Sequence, residues 1–294
     1  MAVSQNVIRP TIPFHQKHSG TAARIIGYVL MAVLVCAIGA PIYWMLSGTV
    51  KNNAQIYTFP PIWIPTALHW ENFSNVWHQL PIGRFYINSL VITIVGASSE
   101  LLNALFSAYA LVFLRFPAKR LVFIVLLAAL MIPDQIVIVP NYLTISHFLG
   151  FNFINSYVGL ILPGASVAFG TFMMRQAFMG LPREVLDAAK VDGAGHYRLL
   201  KDIVVPMSKP IIVTFGILSI VAKWNEYLWP LIVTNSMNMR PLAVGVSFLF
   251  DPEGTTQWGQ VMAGAFFVIT PLVLVYLWAQ RFIIEGITAG ATKG

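Results

Sequence analysis

The pattern of apolar and polar residues predicts six membrane-spanning helices separated by polar segments. A bilayer core about 30 Å thick is crossed by about 20 apolar residues in a helix, and six stretches of the chain are of this kind. They cover residues 25–46, 88–111, 121–139, 157–174, 211–233 and 261–283. The expected fold class is therefore all-α, a polytopic membrane bundle of six transmembrane helices.

Three prolines, Pro133, Pro163 and Pro271, fall inside the predicted spans. Proline is tolerated within a membrane where neighbouring helices satisfy the backbone groups that it frees. Asp134 directly follows Pro133, so we expect it near a break in the third helix. The first span is longer than the apolar region of a secretory signal peptide, and we interpret it as a retained helix.

Composition and charge place the chain in a bilayer and orient it. Hydrophobic residues make up 57% and charged residues 10% of the 294 positions, whereas about 25% of a soluble domain is charged. Fourteen of the eighteen Lys and Arg residues lie in alternate segments that include both ends of the chain; three lie in the other segments, and Lys223 lies within a span. Because basic residues favour the cytoplasmic side, we expect both termini in the cytoplasm. Residues 1–23 would form an N-terminal tail before a single domain over 24–294, with membrane lipid rather than nucleic acid around it.

The segment between the first two spans is predicted to fold on the outer side of the membrane. Residues 47–86 are too polar for a seventh span but contain several prolines and tryptophans, which are Pro60, Pro61, Pro65, Trp63, Trp70 and Trp77. Tryptophan is enriched at the membrane–water interface. We therefore expect a folded external loop with interfacial aromatic residues.

The cytoplasmic segment over residues 181–210 is predicted to form two short helices around a turn. Pro182 suits a first helical position, and the acidic Glu184 and Asp187 follow near the positive end of that helix. Gly193 ends the helix, because glycine after the last turn is a common helix stop.

A second helix is predicted over residues 196–204, ended by Pro206 and Pro210. Three residues of the first helix form a small apolar face at helical spacing: Val185, Ala188 and Ala189. Two interpretations of this pair of helices are open. It either docks on a soluble partner, which small side chains allow to approach closely, or lies on the membrane surface as an amphipathic helix.

The segment over residues 181–210 carries the pattern E-x-x-D-A-A-x-x-D-G-A followed by x-x-P-x-x-x-P. This resembles the coupling loop of bacterial ABC-importer permeases, whose motif begins Glu-Ala-Ala and ends Asp-Gly-Ala, and the segment is called the coupling loop below. Asp187-Ala188-Ala189 is similar to the first element with Asp in place of Glu, and Asp192-Gly193-Ala194 matches the second without change. The resemblance runs from about residue 23 to residue 294 and is to the carbohydrate-uptake branch, in particular the second membrane subunit of the maltose importer. Its further elements are residues 108–110, 115–117, 131–142, 224–230 and 286–294.

The resemblance implies a multi-subunit importer in the bacterial cytoplasmic membrane. Its expected partners are a homologous second permease, two cytoplasmic ATPase subunits, an external solute-binding protein and a sugar substrate. The residues implied to enter a cleft of the ATPase are Glu184, Asp187, Ala188, Ala189, Asp192, Gly193 and Ala194. The tail over residues 284–294 is implied to reach the interface between the two ATPase subunits, through Gly290, Lys293 and Gly294.

No catalytic, nucleotide or metal site is expected in this chain. The glycine-rich end, residues 286–294, does not match G-x-x-x-x-G-K-[ST], and it has neither the preceding strand nor the following helix of a phosphate loop. The six histidines form no H-E-x-x-H motif. ATP and Mg²⁺ are therefore expected on the partner ATPase subunits, and this chain is expected not to be an enzyme.

Charged residues inside the predicted spans are candidates for the translocation pathway, because buried charge in a membrane is costly. Lys223 and Glu226 are three residues apart and can face each other on a helix. They either form an ion pair that locks the helix, or Asn225 and Glu226 line the cavity while Trp224 or Trp229 offers a flat ring surface to a sugar. Glu100 and Asn103 also share one helix face, as a contact between helices or as pore lining.

Two other functions remain open at this point. An ion-coupled secondary transporter is the main alternative, although the chain has no convincing internal repeat of the kind such folds often contain. A membrane scaffold without transport activity is the other. The substrate is expected to be a sugar, either a di- or oligosaccharide or a glycerol-phosphate ester, since residues 253–256 resemble the glycerol-phosphate members of the branch.

Overall fold

The structure is a computed structural model that describes residues 21–251, 253–254 and 256–291. Within those ranges the chain is helical and contains no β-strand, so the predicted all-α class is confirmed. The α-helices are α1 (Thr21–Gly48), α2 (Asn53–Tyr57), α3 (Glu71–Gln79), α4 (Ile82–Phe113), α5 (Lys119–Ala129), α6 (Asp134–Ser146), α7 (Tyr157–Ile161), α8 (Ala168–Met179), α9 (Arg183–Val191), α10 (His196–Leu199), α11 (Val205–Met207), α12 (Lys209–Asn225), α13 (Leu228–Val233), α14 (Leu242–Ser247) and α15 (Trp258–Ala291). Two 3₁₀-helices cover Leu162–Gly164 and Met237–Met239, and a π-helical turn covers Leu200–Val204.

The chain divides into two compact units, Met1–Met45 and Leu46–Gly294. Of the first unit the structure describes most of α1. All the other helices belong to the second unit, which also contains the coupling loop and the charged residues of the predicted spans.

Membrane spans of two kinds occur among the described residues. Three helices are long and apolar enough to cross a bilayer unbroken, namely Ala23–Gly48, Ile82–Phe113 and Trp258–Gln280. Three helix pairs meet the same criterion only when taken together, and they are bent at a short break by 105°, 45° and 80°. These pairs are α5 with α6, Tyr157–Gly164 with α8, and His196–Met207 with α12. The count of six is reached only if each bent pair is one span.

Proline lies at two breaks within the predicted spans, of which the sequence predicted one. The expected third span stops at Ala129, and α6 begins at Asp134 with Pro133 as its N-cap, so the prediction of a break beside Asp134 is confirmed. The expected continuous fifth span is wrong, because α12 ends at Asn225 and α13 begins at Leu228. Pro230 lies in the first turn of α13, where its missing N–H costs little. Its ring would clash with the backbone carbonyl of a preceding helical turn, so α12 cannot continue into α13 as one helix.

Helix α4 lies at the centre of the second unit and packs against α8 and α12, while α12 also packs against α15. Small residues allow these approaches, as is common between membrane helices. Ala104 and Ala108 of α4 are buried in a cluster with Met174 and Phe178 of α8. A Cβ on Gly170 of α8 would collide with a phenylalanine ring of α12.

The break in hydrogen bonding caused by Pro271 is repaired by neighbouring helices, as expected from the sequence. Proline has no N–H for the carbonyl four residues earlier. That carbonyl, on Phe267, accepts a hydrogen bond of 2.6 Å from the Tyr86 hydroxyl of α4. The next carbonyl, on Val268, accepts one of 3.0 Å from the indole of Trp224 in α12. Proline thus joins α15 to two other spans.

The segment between α1 and α4 is folded, as predicted. Lys51 is fully buried, and its Nζ donates to the Ile62 carbonyl at 2.6 Å and to Ser47 Oγ at 3.1 Å. Burial lowers the pKa of the Lys51 ammonium below its ordinary value. Asn72 of α3 donates to the backbone carbonyl of Lys51 at 2.9 Å. The indole of Trp258, at the start of α15, donates to the Tyr57 hydroxyl at 2.6 Å, which ties this segment to the last helix.

Candidate functional site

The first helix of the coupling loop, α9, has the charge distribution and glycine stop that the sequence predicts. Glu184 lies in its first turn and Lys190 in its last, which suits the helix dipole. Pro182 is the N-cap and not the first helical residue. Gly193 follows the helix with φ +76°, a conformation that side-chain-bearing residues rarely adopt. The Ala194 N–H donates to a carbonyl of α9 at 2.9 Å and closes the turn.

The second helix of the loop is longer than predicted, because Pro206 does not end it. The chain continues from α10 through the π-helical turn into α11, which ends at Met207. In the π-helical turn the Val205 N–H donates to the Leu200 carbonyl, five residues back. Pro206 then lies within this continuous helix, directly after the π-helical turn. The helix ends at Met207, and the chain bends by 80° into α12.

The predicted apolar face of α9 divides between the core and the open side of the helix. Ala189 is buried, with 7% of its surface exposed, but its buried companion is Leu186 at 8%. Val185 and Ala188 are exposed. Three-residue spacing places Leu186 and Ala189 on one side of the helix, where they join a core cluster with residues of α4, α8 and α10. The loop is therefore held firmly against the spans by one face, and the other face is open.

The open face of α9 and the second loop helix enclose a groove of about 550 Å³, here called the loop groove. Its lining residues are Glu184, Val185, Ala188, Ala189, Asp192, Ala194, Arg198, Asp202 and Ile203. Five of the seven residues implied by the resemblance are among them. Asp187 instead faces away and pairs with Lys190 at 2.9 Å, and Gly193 forms the turn at the end of α9. The loop groove thus combines small apolar residues with a rim of mixed charge.

A hydrogen bond between α4 and the coupling loop was not foreseen from the sequence. The Tyr109 hydroxyl lies 2.9 Å from His196 Nδ1 and donates to the His196 carbonyl at 3.0 Å. Tyr109 is 6% exposed whereas His196 is exposed, so these contacts lie at the edge of the core. No partner of His196 was predicted from the sequence. The available signal was its place at the start of the second helix, but its partner is 87 positions away in the chain.

A second site lies within the spans, where Lys223 of α12 binds two carboxylates. Its Nζ is 3.1 Å from Glu100 Oε1 of α4 and 3.4 Å from Glu226 Oε2. The Ser219 hydroxyl of α12 also donates to Glu100. The side chains of Glu100 and Lys223 are 5% and 10% exposed, whereas Glu226 is 28% exposed. These three charged residues are called the charged cluster below.

Of the two interpretations left open for Lys223 and Glu226, the ion pair is present, but Glu100 is the more deeply buried partner of Lys223. The i, i+3 spacing revealed the first pair, whereas the second joins residues on different helices. Two glycines make room for the lysine. A Cβ on Gly96 would approach the lysine stem at 3.3 Å, and one on Gly164 would collide with Lys223 Nζ. The contact between helices predicted for Glu100 is therefore an ion pair to α12.

The other pathway candidates are separated from one another. Asn103 is exposed and lies 3.4 Å from the Ser166 hydroxyl, so it does not share the surroundings of Glu100. Asn225 is exposed, and its amide donates to the Val221 carbonyl at 2.9 Å. Trp229 is 8% exposed and donates to the Gly159 carbonyl at 3.2 Å.

Trp224 is also buried, at 6% exposure, so neither tryptophan presents the flat exposed ring that was expected for a sugar. At the break between α12 and α13, Asn225 is exposed and Glu226 is partly exposed, which leaves both side chains available to line a cavity. At the C-terminus, Gly290 is in the last turns of α15, which continues into the predicted tail as far as Ala291. Lys293 and Gly294 lie outside the described residues, as does most of the predicted tail over residues 1–23.

Comparison with protein families gives one match, described as the inner membrane component of binding-protein-dependent transport systems, over residues 89–288. The match includes the coupling loop and all three residues of the charged cluster. The relatives include proteins named sn-glycerol-3-phosphate transport system permease protein UgpE. The one from Yersinia pestis bv. Antiqua is 34% identical over 88% of this chain and 94% of its own length. That from Brucella abortus is 31% identical over 90% and 96%.

Two solved structures share the fold. A chain from a bacterial ABC transporter involved in the import of the acidic polysaccharide alginate superposes with a TM-score of 0.78, covering 92% of this chain and 99% of its own, at 22% identity. A chain from the alginate transporter in complex with a periplasmic protein that carries an alginate pentasaccharide gives a TM-score of 0.60, with coverages of 88% and 95%, at 14% identity. The fold of this chain is therefore shared with these two transporter chains.

Proposed function

The chain belongs to the family of inner membrane components of binding-protein-dependent transport systems, and we propose that it is one of two permease subunits of an ATP-driven solute importer. The observation that carries the proposal is the loop groove. It is formed by the residues that resemble the family's coupling motif, and it is fixed to α4 and α8 through Leu186 and Ala189. In this proposal each importer contains this chain, a second permease and two cytoplasmic ATPase subunits.

The importer works by alternating access. ATP binding draws the two ATPase subunits together, and the groove-lining residues transfer that movement to α4 and α8. The spans then change the side of the membrane to which the pathway opens, and hydrolysis resets the assembly. A solute-binding protein delivers the solute at the outer face. The family description supports an inner membrane location, and the distribution of Lys and Arg supports a cytoplasmic position for both termini.

The solute in this proposal is a sugar or a glycerol-phosphate ester. Support comes from the relatives, which are named for sn-glycerol-3-phosphate transport, and from structural neighbours in alginate import. ATP and Mg²⁺ are bound by the partner ATPase, so this chain contributes the path and not the hydrolysis. Gly290, Lys293 and Gly294 are proposed to contact the ATPase pair, and Asn103, Asn225, Glu226 and Trp229 to lie along or close to the pathway.

The proposal is tested by purifying the chain in mild detergent from its own cells. We expect a second permease and an ATPase to copurify, and ATP hydrolysis to rise with a solute-binding protein loaded with one member of a panel. The panel contains a neutral disaccharide, sn-glycerol-3-phosphate and an acidic oligosaccharide. Recovery of the chain alone, with uptake that follows an ion gradient, would replace the proposal with an ion-coupled secondary transporter.

The docking role of the loop groove is tested by filling it. Ala188 is exposed and lines the groove, so the indole of Ala188→Trp keeps the ATPase out of the groove without disturbing the core. Val191 is 87% exposed on the same helix and is not among the lining residues, so Val191→Trp is the matched control. We expect the ATPase to be lost from the purified complex only with Ala188→Trp. Loss with Val191→Trp alone would place docking on another face of α9.

A further inference from the structure

Helix α4 carries contacts to both functional regions of the protein. Near its C-terminal end, Tyr109 is hydrogen-bonded to His196 of the coupling loop. Nine residues earlier, Glu100 is paired with Lys223 of α12. At 1.5 Å per residue these two contacts are about 14 Å apart along the helix. No proline lies within α4, and its 32 residues form one unbroken helix, so both contacts belong to one stiff element.

The charged cluster lies where α12 ends. Lys223 is in the last turn of α12, and Glu226 is its C-cap, beyond which the chain turns before α13. Lys223 therefore forms ion pairs with Glu226 at the break and with Glu100 of α4. These two ion pairs connect the end of α12 to α4. A buried pair of this kind brings little net stability compared with apolar residues, because both groups must leave water. A geometric role explains why the chain uses it here better than a stabilising role does.

We propose that Glu100 and Lys223 are positioning residues for transport, which hold the break between α12 and α13 to α4. A movement imposed on α4 at its Tyr109 end is then passed to Asn225 and Glu226 at the break. This inference rests on the proposed function, since it concerns the coupling of ATP hydrolysis to solute movement. Neither residue needs to touch the solute, and Lys223 is too deeply buried, at 10% exposure, to offer its charge to one.

The test compares two variants that differ only in the ion pair. Both contain Glu226→Gln, which removes the third charge of the cluster. In the neutral variant, Glu100→Gln and Lys223→Met remove the pair. In the exchanged variant, Glu100→Lys and Lys223→Glu restore an opposite-charge pair with reversed direction. The measured quantity is the number of ATP molecules hydrolysed per solute imported by the full complex in proteoliposomes, with Glu226→Gln alone as the reference.

We expect the neutral variant to assemble and hydrolyse ATP, but to need at least about fivefold more ATP per solute, the lower end of typical coupling strengths. The exchanged variant should return the ratio towards the reference. A merely structural pair would change the amount of assembled complex and leave the ratio unchanged, and that result would overturn the proposal. An exchanged variant with the same ratio as the neutral one would also overturn it.

A milder change protects the test against loss of assembly. Ser219→Ala removes the hydroxyl that donates to Glu100 and keeps all three charges of the cluster. We expect a smaller rise in the ATP-to-solute ratio, and an unchanged ratio would count against the proposal. Glu71→Gln, which alters an exposed pair with His69 outside the spans, is the control and should have no effect. If the wild-type complex itself shows no hydrolysis stimulated by a loaded binding protein, the proposed function fails and not this inference alone.

Discussion

Replacing Gly193 by valine tests whether the turn of the coupling loop depends on its backbone conformation. Gly193 has φ +76°, and a Cβ built on it has no atom of another residue within 4 Å. The substitution therefore meets no steric obstacle, and its cost is that of a left-handed conformation for a residue with a side chain. That cost is about 1–2 kcal/mol for an ordinary residue and higher for a β-branched one such as valine.

The strain acts on a turn that both loop helices share. The Gly193 N–H donates to the Lys190 carbonyl at 3.0 Å, and the next N–H donates to Ala189 at 2.9 Å. A cost of about 1–2 kcal/mol corresponds to a factor of about 5 to 30 in the population of the docking conformation, and the higher cost of valine makes this the lower bound for Gly193→Val. The apparent affinity for the ATPase falls by the same factor, because binding must first restore the turn. We expect Gly193→Val to show this loss when the ATPase is titrated onto the purified permease pair and hydrolysis is measured.

Two matched variants separate strain from simple occlusion. Asparagine tolerates the left-handed region, so Gly193→Asn should retain most of the affinity. Gly195 lies in the same turn with an ordinary φ of −70° and open space around it, so Gly195→Ser should be harmless. If valine at position 193 leaves the affinity unchanged, the role assigned to this turn is wrong. If asparagine is as damaging as valine, the side chain obstructs docking and backbone strain is not the cause.

Three further predictions concern contacts that hold the spans and the loop together. Tyr109→Phe removes the hydroxyl that is hydrogen-bonded to His196. We expect transport to fall, while the free energy of unfolding of the complex drops by no more than about 1–3 kcal/mol. Unchanged transport would mean that this hydrogen bond is not needed for coupling. Leu186→Ala opens a cavity under α9 and should destabilise the docked loop by about 2–5 kcal/mol, seen as faster proteolysis of the loop than in wild type. Tyr86→Phe leaves the Phe267 carbonyl beside Pro271 without its donor, which should cost about 1–3 kcal/mol in thermal unfolding and leave ATPase docking intact.

Helix content, the number of apolar stretches and the glycine turn followed from the sequence because each depends on local chemistry. Gly193 is one example, since a glycine after a helical pattern predicts a left-handed turn whatever surrounds it. The ion pair between Lys223 and Glu226 is another, because helical spacing brings residues three apart together. Pro133 likewise marked a break next to Asp134. These predictions needed no knowledge of which helices are neighbours.

Only the tertiary structure decided which side of α9 is buried and what Lys223 binds. Small apolar residues occur on more than one side of that helix, and the choice of Leu186 over Val185 depends on the position of α4 and α8. The pair between Glu100 and Lys223 joins residues on separate helices, and no spacing rule reaches across such a distance in the chain. The sequence did not reveal that the fifth span is interrupted after Asn225, because the apolar stretch continues across the break. Apolar composition shows that a segment lies in the membrane. Whether its helix is continuous depends on which neighbouring helices can form hydrogen bonds with the backbone groups that a break exposes.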